Sequence, residues 1–293
     1  NSRAEAEKLM QADEIDFIIE FPDDFEKSVV KQQPTKIAIT ANAINTVKAG
    51  LGSEYVQTVL ANYFMDVSSG MPKNQQEQQA NLIATNIYWF NEQMSYKSLI
   101  VPGLLIILVT LIGAYVTALN IVREKELGTI EQINVTPIKK WQFLLGKMIP
   151  FWILGILEFG IGLVIMRFVF GITIQGSIGL LLALTAVYLL VMLGLGFFIS
   201  SVSKTQLQAM FIVFFLFILF VMMAGVLTPT EGMPDWAKYI NYINPMSFFM
   251  VAIKTIILKG SGFESIQEQF YILAAMAVLL NTAVLLSYRE KTR

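Results

Sequence analysis

The chain has 293 residues, 55% of them hydrophobic and only 15% charged, with a mean hydropathy of +0.59, which is too apolar for a soluble domain and predicts a polytopic membrane protein. A formal net charge of -1 with no basic cluster interleaved with aromatics excludes a nucleic-acid partner. The lack of any cysteine or histidine excludes disulfides, thiol chemistry, Cys or His zinc sites and every triad that needs an imidazole base.

The chain opens on NSRAEAEKLM, with no initiator Met and no basic leader before an apolar stretch, and is read as a fragment. Residues 1–97 are mixed and polar. DEIDFIIEF alternates with period two, KIAIT and NLIATNIYWF read as strands, and FEKSVV has helical character. Between the last two strands, Val47, Leu51, Tyr55, Val59 and Tyr63 recur at intervals of four and predict a helix over Asn45 to Phe64. The Gln-rich KNQQEQQ reads as a solvated connector. The expectation for 1–97 is a small α+β domain.

Residues 98–293 read as a transmembrane domain. Five apolar runs, near 99–122, 148–170, 177–200, 206–228 and 267–288, are each long enough to cross a hydrocarbon core of about 30 Å as one helix. Arg123, Lys125, Lys139, Lys140 and Lys147 lie in one connecting loop, 123–147, with Lys204 in the next on the same side and Arg289, Lys291 and Arg293 in the tail. The positive-inside rule therefore places these in the cytoplasm and residues 1–97 outside, extracytoplasmic. Segment 229–265 holds Pro229, Pro234 and Pro245 and cannot be one straight span. Its apolar part, Met246 to Leu258, is too short to cross, so it predicts a pair of short re-entrant helices in the outer leaflet, or else a surface loop packed on the domain.

Catalytic chemistry finds no support in the residues. LLGKM carries Gly-Lys, but Met148 follows Lys147 and no glycine stands five before Gly146, so there is no phosphate loop of Walker type. All aspartates lie outside the apolar runs, against an intramembrane aspartyl protease, and a rhomboid-like serine site has no histidine. No catalytic, cofactor-binding or metal site is assigned. Thr110, Ala114 and Ala118, Gly155 with Gly160, and Gly194 with Gly196 are small residues that allow close helix approach, within one subunit or across a dimer. The aromatic and Met stretch Met210 to Met223 fits an amphiphile pathway or a lipid-facing surface.

The polar stretch REKELGTIEQINVTP, Arg123 to Pro137, separates two of the most apolar runs. Glu124, Glu126 and Glu131 lie near Arg123 and Lys125, Gly128 allows a bend and Pro137 closes the segment, which predicts a short helix on the membrane surface. The alternative is a plain connector whose charge holds topology. Extended to REKELGTIEQINVTPIKKWQFLLGK, the stretch resembles the first cytoplasmic loop of type-2 ATP-binding-cassette exporter permeases. GMPDWAKYI with INPMSFFMVAIKTIILKG, and WFNEQMSYKSLIVPG, resemble the same family.

The resemblance implies a coupling helix that docks on a cytosolic ABC ATPase subunit through Arg123, Glu124, Glu126, Gly128, Thr129, Glu131 and Pro137. It also implies that ATP and Mg are held by that partner rather than by this chain, and that a second permease copy or close paralogue completes the pathway. A periplasmic adaptor and membrane lipids are further expected partners, and a membrane helix is expected ahead of residue 1. The implied function is the permease of an exporter of drugs, amphiphiles or glycans in the bacterial inner membrane. The alternative is a subunit that transmits ATPase strokes to the external domain without moving a solute.

Asn244 and Pro245 in the re-entrant segment are candidates for the pathway or its gate, together with Glu158. Glu158 lies about ten residues past Met148, roughly 15 Å into the span. An ionised carboxylate facing lipid there is costly, so the side chain is expected to face protein or water, be protonated, or both. Arg167 is nine residues on, about 13 Å higher and on the opposite side of the helix, so it is not the partner. Thr110, Thr117, Tyr188 and Asn281 on other spans are the candidates. A packing role and a role in the path or gate both remain open.

Overall fold

A computed structural model of the chain describes residues 3–12, 14–22, 25, 35–44, 46–69, 82–90, 97–129, 140–226 and 233–290. It divides into two compact units, Asn1–Tyr96 and Lys97–Arg293.

The first unit runs α1 (Arg3–Gln11), β1 (Phe17–Glu20), β2 (Thr35–Asn42), α2 (Thr46–Ser69) and β3 (Leu82–Trp89). Its sheet has the order β1-β2-β3. β1 pairs antiparallel with β2, setting Ile19 opposite Ile39. β2 pairs parallel with β3, setting Ile39 opposite Asn86, and α2 is the crossover that a parallel pair requires. The expected strands and helix are therefore present, but the interval-of-four stripe is not the buried face of α2. Leu51, Tyr55, Val59 and Tyr63 are exposed, while Ala49 and Ser53 are buried. The small residues face inward because the helix approaches closely: a Cβ on Gly52 would come within 2.2 Å of the Phe17 ring, and Phe17 and Tyr88 pack over Ala41, Ala43 and Ala49. FEKSVV beyond Phe25 and KNQQEQQ lie outside the described residues.

The second unit is helical. α3 (Lys97–Thr110) continues through a π-helical turn, Leu111–Val116, into α4 (Thr117–Glu126). Then follow α5 (Lys140–Phe168), α6 (Ile178–Val202), α7 (Gln206–Met223), the short α8 (Asp235–Asn241), α9 (Pro245–Lys259) and α10 (Gln267–Glu290). Among the described residues, five helices are long and apolar enough to cross a membrane: Ile100–Glu126, Trp141–Phe168, Ile178–Val202, Gln206–Met223 and Gln267–Leu286. The fold is a polytopic helical membrane protein with a small sheet region. Hydroxyl caps begin two of the spans, with Ser177 accepting from Leu180 N–H at 3.4 Å and Thr205 accepting from Gln208 N–H at 3.2 Å.

α6 is the central post, with Leu184, Tyr188, Met192 and Phe197 fully buried. The glycines that pack it close do so within the subunit. A Cβ on Gly196 would lie 2.7 Å from the Ala114 carbonyl, one on Gly194 would press on Asn281, and one on Gly155 would meet Leu189. Gly160, by contrast, has open space beside it. α8 and α9 meet at an 84° bend. α9 is buried along most of its length, stacking Phe249 on Tyr188 with ring centroids 3.9 Å apart.

Candidate functional site

The polar stretch after the first span does not begin as a separate surface helix. Arg123 to Glu126 form the last turn of α4, because their backbone continues the helix of the preceding apolar run, and the chain leaves it at Gly128, whose φ of +71° suits a residue without a Cβ. Thr129 Oγ1 donates back to the Glu124 carbonyl at 2.9 Å and closes that end. Glu131 and Pro137 lie outside the described residues.

This last turn holds the ends of two other helices and the body of a third. The Lys125 ammonium donates to the carbonyls of Ser200, of Ser201 at 3.3 Å and of Ser203 at 3.2 Å. These belong to the C-terminal end of α6, where helical carbonyls lack intrahelical partners and the helix dipole is negative. Glu126, the next residue, faces the opposite pole. One of its oxygens accepts from Gln206 N–H, the first residue of α7, at 2.8 Å, and the other accepts from the Gln206 side-chain amide. Glu124 pairs with Lys147 of α5. A cation thus sits on a helix C-terminus, an anion sits on a helix N-terminus, and an ion pair ties in α5. Beneath them Ile121, Leu144, Met148, Leu193, Phe197 and Val284 form one buried cluster.

Two members of the same turn face away from this network. Arg123 and Leu127 are exposed, and a Cβ on Gly128 would meet nothing within 4 Å. The expected set Arg123, Glu124, Glu126, Gly128 and Thr129 is therefore contiguous but serves two purposes. Glu126 is engaged through both oxygens and Glu124 through one, its Oε2 being buried without a partner among the described residues, whereas Arg123 and Gly128 are open. The sequence marks Lys125 and Lys147 only as charges of the connecting loop and does not mark Gln206. Their signal lies in where α6 ends and α7 begins, which composition does not reveal.

At the opposite end of the bundle, Asn244 caps α9. Its Oδ1 accepts from Met246 N–H at 3.0 Å, and its Nδ2 donates to the Phe220 carbonyl at 3.0 Å and to Asn241 Oδ1 at 3.1 Å. Pro245 occupies the first turn, where a missing N–H costs nothing. Both residues are buried, and they fix the bend between α8 and α9. Lys254, inside α9, donates to the Gly225 carbonyl just past α7, at 3.2 Å.

Glu158 lies midway along α5, half-buried, and its Oε2 has no hydrogen-bond partner among the described residues. The four candidates are engaged elsewhere. Thr110 and Tyr188 share a hydrogen bond of 2.6 Å, Thr117 donates to the Ile112 carbonyl, and Asn281 donates to the Leu190 and Ala277 carbonyls. Thr110 and Thr117 flank the π-helical turn, and π turns are frequent at functional sites.

A family model described as ABC-2 family transporter protein matches residues 1–286. The chain belongs to the ABC-2 transporter family. Among curated proteins, this ABC-2 chain is similar to the probable multidrug ABC transporter permease YbhR of Escherichia coli K12, at 29% identity over 274 residues, covering 94% of this chain and 73% of the relative. It is 27% identical to the probable multidrug ABC transporter permease YbhS of the same strain over 89% of this chain and 69% of that one. It is also 25% identical to the inner membrane transport permease YhhJ over 97% of this chain and 78% of that protein. The family assignment and the five apolar helices together make this chain an ABC-2 permease component, a multi-pass integral membrane protein.

Proposed function

We propose that this permease exports a drug, an amphiphile or a glycan from the cytoplasm across the bacterial inner membrane, driven by cytosolic ABC ATPase subunits that bind the ATP and Mg. A second permease copy or close paralogue completes the pathway, and a periplasmic adaptor extends it. The multidrug names of two relatives favour amphiphilic cargo. The observation that carries the coupling role is the last turn of α4, where Arg123 and Leu127 are open while Glu124, Lys125 and Glu126 grip α5, α6 and α7. A push on residues 123–129 by an ATPase reaches three spans at once. Glu131 and Pro137 are assigned to the same docking loop.

Inside-out vesicles carrying the permease with its ATPase test this reading through ATP-dependent uptake of a panel of fluorescent amphiphiles, drugs and labelled glycans. Arg123→Glu is expected to cut uptake about tenfold or more, as lost rim and buried charge contacts do at interfaces, while the ATPase still hydrolyses ATP. Uptake at the wild-type rate with Arg123→Glu rejects the docking role, and absence of ATP-driven uptake of every cargo rejects export in favour of force transmission. The orientation is tested in this cysteine-free chain with an impermeant thiol reagent. A cysteine at the exposed Glu54 is expected to react in intact cells and one at the exposed Lys204 only after permeabilisation; the reverse pattern would place the α4 turn on the wrong side for an ATPase.

A further inference from the structure

The bent helix pair encloses a cleft that the coupling and transport reading leaves unused. It is a shallow, broadly open cleft of about 510 Å³ between α8, the start of α9 and the first turns of α10. Its lining is mixed: Lys238, Tyr242 and Gln269 supply a cation, a phenol and an amide, and Phe248 and Val251 supply apolar surface. Asn241 Nδ2 donates to Ser247 Oγ at 2.9 Å across the floor, so those two groups are already satisfied.

Two of the polar groups are not well served within the chain. Gln269 Oε1 is buried without a hydrogen-bond partner among the described residues. Such an acceptor loses its hydration and gains nothing unless a donor enters. Lys238 pairs with Asp235 at 3.3 Å, but the Asp235 side chain is 89% exposed, so this contact is screened and weak. Meanwhile α8 and the residues just after it present Trp236, Tyr239, Tyr242 and Ile243 outward, all strongly exposed. Aromatic side chains of this kind gather at the level of lipid headgroups. These exposed aromatics set α8, and with it the cleft, at the level of the membrane interface.

We infer that this cleft binds one anionic membrane phospholipid whose headgroup carries a hydroxyl. The phosphate pairs with Lys238, the headgroup hydroxyl donates to Gln269 Oε1, and an acyl chain lies on Phe248 and Val251. The site lies outside the α4 turn, so its test is independent of ATPase coupling.

Native mass spectrometry of the purified full chain in detergent, titrated with phosphatidylglycerol, phosphatidylcholine and inorganic phosphate, tests the inference. One phosphatidylglycerol is expected to be retained in preference to phosphatidylcholine. Lys238→Gln is expected to weaken it about fivefold, the contribution of one basic side chain beside an anionic lipid surface. Val251→Trp, at a half-exposed position, is expected to fill the cleft and abolish retention with unchanged helical circular dichroism. Undiminished phosphatidylglycerol binding in Lys238→Gln would overturn the site, as would equal retention of phosphatidylcholine by the wild type. Complete displacement by inorganic phosphate would show a free-anion site and reject the lipid.

Discussion

The charged turn at the end of α4 and the carboxyl of Glu158 differ in one respect that explains their different surroundings. The turn lies where other helices stop and start, and a helix terminus leaves backbone groups unpaired. Lys125 and Glu126 find carbonyls and an N–H waiting for them. Glu158 lies halfway along α5, away from either end of its own helix, and its Oε2 has no hydrogen-bond partner among the described residues. Lys254 follows the same rule at the other end of the bundle: although it sits inside an apolar helix, it reaches the Gly225 carbonyl beyond the end of α7. In a medium without water, a side-chain charge is satisfied at low cost beside a helix end or beside an opposite charge, as in the Glu124–Lys147 pair.

Removal of the cation is the largest break in this comparison. Lys125→Ala strips the donor from the carbonyls of Ser200, Ser201 and Ser203 and is expected to cost about 2–3 kcal/mol, the scale for charge-assisted bonds whose buried acceptors are left unpaired. Unfolding of the purified permease by SDS titration measures it. A change within error would mean that water replaces the ammonium and that the clamp carries no stability.

The anion should matter less, because Gln206 and Glu126 are exposed. Glu126→Gln keeps an acceptor for the Gln206 N–H but removes the charge from the α7 N-terminus. A loss smaller than that of Lys125→Ala is expected, fading further as salt rises from 0.01 M to 1 M, since those conditions shorten the screening length from roughly 30 Å to 3 Å. A loss that does not respond to salt would sink the electrostatic account and leave only geometry.

Glu158→Gln sharpens the contrast from the other side. Because its Oε2 has no partner among the described residues, the swap is expected to leave stability within about 0.5 kcal/mol of the wild type. Export assayed over a range of pH then separates the two roles. Full export at every pH makes the residue structural, whereas loss of export at normal yield places the charge in the mechanism. A destabilisation as large as that of Lys125→Ala would show that Glu158 has a partner and would end the comparison.

The sequence by itself determined the class, the five spans and the α+β elements, because each depends on a run or a period that local composition states directly. The apolar runs identify the membrane helices whatever they pack against, and Asn45 to Phe64 reads as helical from spacing alone. Only the tertiary structure decided which face of α2 is buried, since the close approach at Gly52 favours small residues over the apolar stripe. It also decided where the polar stretch begins to be a loop, with Arg123 to Glu126 still helical. The partners of Lys125 and Glu126 lie 75 to 80 residues away, and apart from the Gln206 side-chain amide they are backbone groups, which every residue type carries. No pattern of side chains marks them; they become available only where α6 ends and α7 begins beside the last turn of α4.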